Sequence, residues 1–263
     1  MRKGRRATGN GLWALLGLPL VLLLVVPLVA VVVNAAPAEV LRELRGEECW
    51  SAIGVSARTT SISLAVLLVF GTPLAYAFSG PYFPGRRVID ALVSLPAVLP
   101  PAVAGIALLL AFGRSGLFGP TLGRLGIQLP FTAGAVVFAQ LFVSAPFFLR
   151  PMITHFRSID PALAEGASLD GAGAIPIFSR LVLPMSVQAL LGAASVAWAR
   201  ALGEFGATIL FAGNRLGVTR TMPLAVYLGY ETDLGQSVAL SIILLVIALI
   251  VLVGGMWVAR QEA

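Results

Sequence analysis

Three residue types are almost missing from this 263-residue chain. It has one cysteine, Cys49, one histidine, His155, and one lysine, Lys3. A single cysteine excludes a disulfide within the chain and leaves the redox compartment unreported. His155 has no cysteine, second histidine or acid cluster beside it, so ligand counting gives no metal site. No Ser-His-Asp order stands out either. A phosphate-binding loop of the P-loop kind needs a lysine directly after its glycines, and no such lysine exists. The chain cannot hydrolyse ATP by that route, and any ATPase must be a partner. Charge is scarce too. Asp, Glu, Lys and Arg make up 11% of residues, where a soluble domain carries about 25%. The net charge of +6 does not mark a nucleic-acid binder, because the arginines are scattered between apolar runs rather than clustered on one face.

What is present in excess is apolar sequence. Hydrophobic residues make up 58% of the chain and mean hydropathy is +0.95, as in a polytopic membrane protein. A basic stretch, residues 1–10, precedes 22 uncharged residues at 12–33. At about 1.5 Å per residue these can cross an apolar layer of about 30 Å. The small residues Asn34, Ala35 and Ala36 also suit a signal-peptide cleavage site, but the run is longer than a signal core of about 7–15 residues, which favours an uncleaved helix. Residues 36–58 read as a polar loop, with 37–50 able to lie along the membrane as an amphipathic helix. Further spans are expected at 59–78, 91–112, 131–150, 181–211 and 236–259, with a tight turn at 80–87 and outer loops at 114–130 and 213–235.

Six spans place both termini on one side. Arg2, Lys3, Arg5, Arg6, Arg86, Arg87, Arg150, Arg157, Arg180 and Arg260 would then face inward. Arg42, Arg45, Arg58, Arg114, Arg124, Arg215 and Arg220 would face outward. The excess of basic residues on the first set assigns that side to the cytoplasm. The third span carries Pro96, Pro100 and Pro101, which remove backbone donors and bend a helix. In a membrane such a break survives where neighbours or a water-filled cavity satisfy the freed carbonyls, so this helix lines a pathway or is simply kinked. The fifth span carries Arg200 and Glu204, four residues apart and able to pair on one helix face, about 24 Å from the inner end. Three readings are open for the pair: a packing lock, a part of the outer gate or substrate path, or side chains snorkelling to the surface. Phe205 belongs to the same candidate region. Glu231 and Asp233 read as solvated outer-loop acids or as contacts for an external protein, and His155 as a polar residue at the membrane surface.

The stretch that organises the chain is residues 165–184, EGASLDGAGAIPIFSRLVLP. Acids at Glu165 and Asp170, small residues at Gly166, Ala167, Gly171 and Ala172, and Pro184 near the next apolar run form a polar cytoplasmic loop, 158–180. Asp160 and Pro161 mark the start of a short helix. Glu165, Gly166, Ala167, Gly171, Leu181, Leu183 and Pro184 together resemble the cytoplasmic signature loop of ABC importer permeases, although that family more often has Ala where this chain has Gly166. The resemblance implies a coupling helix seated in a groove of a separate ATPase subunit.

ARALGEFGATILFAGN followed by TRTMPLAVY, with Arg200, Leu202, Gly203, Glu204, Phe205, Gly206, Ala207, Thr208, Gly213, Asn214, Thr221, Pro223 and Tyr227, resembles the molybdate branch of these permeases, with the sulfate branch close behind. LPAVLPPAVAG, from Leu95 to Gly105, resembles the third-span motif of the same branch. The resemblance implies an all-α membrane protein of six transmembrane helices with type I importer architecture. It also implies a homodimer, two ATPase subunits that hold the ATP and Mg, an external binding protein for molybdate or tungstate, and no cofactor on this chain. The runner-up is a sulfate or thiosulfate permease, typically one of two unlike chains. A channel or scaffold with no ATPase is the reading from a different class.

Overall fold

Thr132 opens the helix around which the others pack. Its Oγ1 accepts from the Ala135 amide at 3.3 Å, capping a helix that runs from Ala133 to Ser158. The computed structural model describes residues 7–80 and 84–260, and all regular structure among them is helical. The basic residues at positions 2–6, the turn residue Pro81 and residues 261–263 lie outside the described residues.

In chain order the helices are α1 (Ala7–Val33), α2 (Pro37–Arg45), α3 (Glu47–Val66), α4 (Thr72–Ser79), α5 (Arg86–Ser94), α6 (Pro101–Phe112), α7 (Gly119–Arg124), α8 (Ala133–Ser158), α9 (Pro161–Leu169), α10 (Ala174–Pro176), α11 (Leu183–Met185), α12 (Val187–Leu202), α13 (Gly206–Ala212), α14 (Met222–Thr232) and α15 (Leu234–Arg260). A π turn, Leu67–Gly71, joins α3 to α4 without a break, and a second, Ile177–Val182, joins α10 to α11. Among the described residues four helices are long and apolar enough to cross a membrane: Leu15–Val33, Glu47–Ser79, Ala133–Ser158 and Leu234–Gly255. Two bent pairs bring the number to six, Arg86–Ala97 with Pro101–Phe112 and Ala174–Met185 with Val187–Leu202.

α8 is buried on most sides. Ala135, Val136, Ala139 and Val143 pack against α6 and α13, while Phe148, Met152 and Phe156 pack against α4 and α12. Lipid is as apolar as these side chains, so close packing and interhelical hydrogen bonds hold the bundle rather than burial from water. Both devices are visible. Ala193, Ala197 and Ala201 line one face of α12 and let its backbone approach α8. Gln140 is buried on α8, with its side-chain oxygen 3.2 Å from Ser63 Oγ on α3.

Three expected boundaries change. Residues 36–58 are not a loop: α2 is helical and α3 begins at Glu47, so Arg58 sits on a helix rather than beyond its end. A glycine hinge at Gly46 is all that separates the two helices. The third span is not a kinked rod starting at 91. It starts at Arg86, and its two halves are bent by 115° around residues 98–100, where successive prolines leave the backbone without donors. The fifth span is not continuous over 181–211. It bends by 73° at Ser186 and breaks again at residues 203–205 before α13.

Candidate functional site

The signature loop folds as a helix finished at both ends. Asp160 Oδ1 accepts from the Ala162 amide at 3.0 Å and Pro161 takes the first helical position, so α9 begins where those two residues place it. At the other end Gly171 adopts φ +86°, the left-handed region. The Gly171 amide bonds to the Ser168 carbonyl at 3.0 Å and the Ala172 amide to the Ala167 carbonyl at 2.9 Å. This is a Schellman cap, and it gives the signature glycine a structural reason. Ala164, Ala167 and Ala172 turn inward against Phe156, Ile177 and Phe178. Tyr76 closes this floor, with ring centroids 5.5 Å from Phe156 and 4.9 Å from Phe178.

Outward, α9 and the turn after it offer Glu165, Gly166 and Asp170 together with Leu169, 89% exposed, and Ile175, 80% exposed. Pro184 is also exposed and is the second residue of α11, which follows the π turn directly. Leu169 and Ile175 are large apolar side chains that nothing in this chain covers among the described residues. Sequence reasoning found the acids and glycines of this surface but not Leu169 and Ile175, which nothing in the local pattern distinguishes from core residues.

Arg200 and Glu204 do pair, Nη1 to Oε2 at 3.0 Å, but not on one helix face. α12 ends at Leu202, and Glu204 lies in the break, 1% exposed. Its other oxygen, Oε1, accepts from the Ala207 amide at 2.9 Å. The pair is therefore a staple across a broken helix. Arg200 stands near the carbonyl end of α12 and Glu204 near the amide end of α13, each where the helix dipole favours its charge. Phe205 is half-buried and its ring centroid lies 5.0 Å from that of Tyr227.

The structure brings this break against the other proline-rich motif. A Cβ on Gly206 would sit 2.4 Å from Pro101 Cβ, and one on Gly105 would sit 2.8 Å from Leu210 Cβ and 3.1 Å from the Ala207 backbone. α6 and α13 thus meet at backbone contact, with Pro100 and Pro101 at the mouth of the break. Pro96 is half-buried in the 3₁₀ turn Leu95–Ala97 and stands apart from this contact. Gly105 and Gly206 were legible only as members of two separate motifs, since neither motif names its partner.

His155 has a partner as well. Its Nε2 lies 3.0 Å from Oγ of Ser186, the fully buried residue at the bend of the fifth span. The two are 31 positions apart and no local signal links them. Among the described residues no group of three or more His, Cys, Asp or Glu side chains could hold a metal.

Comparison with known proteins agrees with this geometry. A 38% identical stretch of 228 residues relates the chain to the molybdenum transport system permease protein ModB of Mycobacterium tuberculosis, covering 87% of this chain and 86% of that protein. The probable transport system permease protein NifC of Clostridium pasteurianum is 35% identical over 233 residues, 88% of this chain and 81% of its own length. The sulfate transport system permease protein CysW of Synechococcus elongatus is 33% identical over 236 residues, 86% of this chain and 82% of its own length. Among solved structures, a chain of a bacterial alginate ABC transporter superposes with a TM-score of 0.73 at 18% identity, covering 100% of this chain and 98% of that one. A chain of the MetNI methionine ABC transporter gives 0.61 at 16% identity, covering 81% and 94%. With its bent third and fifth spans, its capped loop helix and a match over residues 68–259, the chain belongs to the family of binding-protein-dependent transport system inner membrane components.

Proposed function

We propose that this chain is the permease subunit of an ABC importer for a tetrahedral oxyanion of the molybdate and tungstate kind. Two copies related by a two-fold axis would enclose the path, since a single six-span bundle is too small for a shielded path and a gate. An ATPase subunit would grip each copy of α9, holding the ATP and Mg that this chain does not bind. Both termini and α9 would face the cytoplasm, and a loaded binding protein would dock on the outer loops. Closure of the ATPases would swing α9 and switch the bundle between inward and outward openings.

The observation that carries this reading is α9 itself. It is capped at both ends, seated on an aromatic floor, and presents Leu169 and Ile175 to the outside. The molybdate assignment draws on the names of the ModB relatives. A weak hold on the dianion fits the break, because Arg200 already shares its charge with Glu204. The sulfate reading remains the second one, supported by the CysW relative at 33% identity. A channel or scaffold would leave α9 without a purpose.

The test is capture of the cognate ATPase subunit by the tagged chain, before and after Glu165→Ala and Gly171→Pro. Capture lost in both variants supports the coupling role, whereas undiminished capture removes it. Affinities of the cognate binding protein for molybdate, tungstate and sulfate then decide the anion.

A further inference from the structure

Arg150, Thr154 and Arg157 lie on one face of α8 at spacings of four and seven residues, toward its C-terminal end. Asp90 and Ser94 lie one turn apart on α5 and face them across a cavity of about 100 Å³, with Val93 and Ile153 as its apolar walls. Arg150 donates to the Ser94 hydroxyl, and Arg157 donates to the Phe78 carbonyl at 3.2 Å. Neither arginine has an ion-pair partner among the described residues. Asp90 opposes a bound anion, but its carboxylate is already 3.9 Å from Arg86, so the lining keeps an excess of positive charge.

From this arrangement we infer a binding site for a tetrahedral phosphate-type oxyanion, held by the guanidinium groups of Arg150 and Arg157, since the Ser94 and Thr154 hydroxyls already give their protons to the Asp90 and Arg150 carbonyls. Guanidinium groups suit such an anion because each can present paired N–H donors to its oxygens. A phospholipid headgroup and a free oxyanion share this chemistry, and the titration below distinguishes them. Basic pockets between membrane helices on the cytoplasmic side hold anionic lipids in this manner. The site takes only its side of the membrane from the proposed function; its chemistry stands without it.

The experiment uses the full-length chain purified in detergent. It is titrated separately with short-chain phosphatidylglycerol, inorganic phosphate and molybdate, with binding followed by calorimetry. Saturable binding of at least one probe is expected, weakened about tenfold or more in the Arg150→Gln/Arg157→Gln double variant. The control Arg114→Gln/Arg124→Gln, which changes two arginines outside the cavity, should bind as the parent does. Lipid binding without free-ion binding assigns the site to a headgroup, and equal binding of phosphate or molybdate assigns it to a free oxyanion. No saturable binding of any probe, or equal binding by the double variant, overturns the site. Because the titration needs neither ATPase nor transport, its failure would leave the importer reading untouched.

Discussion

Pro101 and Gly206 meet with no room for a side chain between them: a Cβ on Gly206 would stand 2.4 Å from Pro101 Cβ. The neighbour is a proline ring atom and cannot swing aside. Gly206→Ala should therefore separate α6 from α13 and destabilise the protein by about 1–3 kcal/mol, the usual cost of overpacking. Gly192→Ala is the matched control, since nothing lies within 4 Å of the added atom. The thermal midpoint in detergent should fall for the first variant and hold or rise for the second.

Glu204 does two jobs, and two substitutions separate them. Glu204→Gln keeps an oxygen for the Ala207 amide but removes the charge that answers Arg200. Glu204→Ala removes both. Breaking a buried pair costs about 3–5 kcal/mol, and less here because Arg200 is 29% exposed and water can reach it. The alanine variant should therefore lose more stability than the glutamine one, while both lower uptake. Equal thermal midpoints for the two would show that the cap to α13 contributes nothing.

These effects mark where the sequence was readable. Local chemistry was legible: Asp160-Pro161 announced the start of α9, and the spacing of Arg200 and Glu204 announced their pairing. The reason for that pairing was not, because a Glu four residues after an Arg reads the same whether the helix is continuous or broken between them, and the Oε1 bond to the Ala207 amide shows only in the fold. The bends at residues 98–100 and at Ser186 were hidden in the same way. Prolines in the third span pointed to a disruption, yet the two halves end 115° apart with α6 packed on α13 and the turn Leu95–Ala97 packed on α8, which are long-range contacts. The contacts of Gly105 and Gly206, and of His155 with Ser186, join segments far apart in the chain, so no window of sequence contains them.

Gly171 and Leu169 allow the shape of α9 to be tested apart from its surface. Gly171→Ala places a side chain at φ +86° in open space, so its penalty is conformational, about 1–2 kcal/mol. It should loosen the end of α9 and weaken ATPase capture in part. Leu169→Asp alters only a residue that is 89% exposed and should leave the thermal midpoint unchanged while abolishing capture. Capture that survives Leu169→Asp would move the docking surface elsewhere.

His155 and Ser186 tie together the two stems that carry α9. Ser186 gives its own proton to the Val182 carbonyl at 2.7 Å, so the ring Nε2 must be the donor in the 3.0 Å contact. That fixes the tautomer of the neutral ring, and a charged ring also carries a proton on Nε2. The bond consequently survives protonation, and it should be insensitive to pH between about 6 and 8. Removing it with His155→Ala or Ser186→Ala costs about 1 kcal/mol in stability. Its larger effect should be mechanical, since α8 enters the loop and the segment at the bend leaves it. Reconstituted with the ATPase and binding protein, both variants should hydrolyse ATP at near-parental rates but move less anion per ATP, by the same factor at pH 6 and pH 8. A deficit that appears at only one of the two pH values would contradict this reading of the bond, and an unchanged ratio of transport to hydrolysis would show that the two stems move together without it.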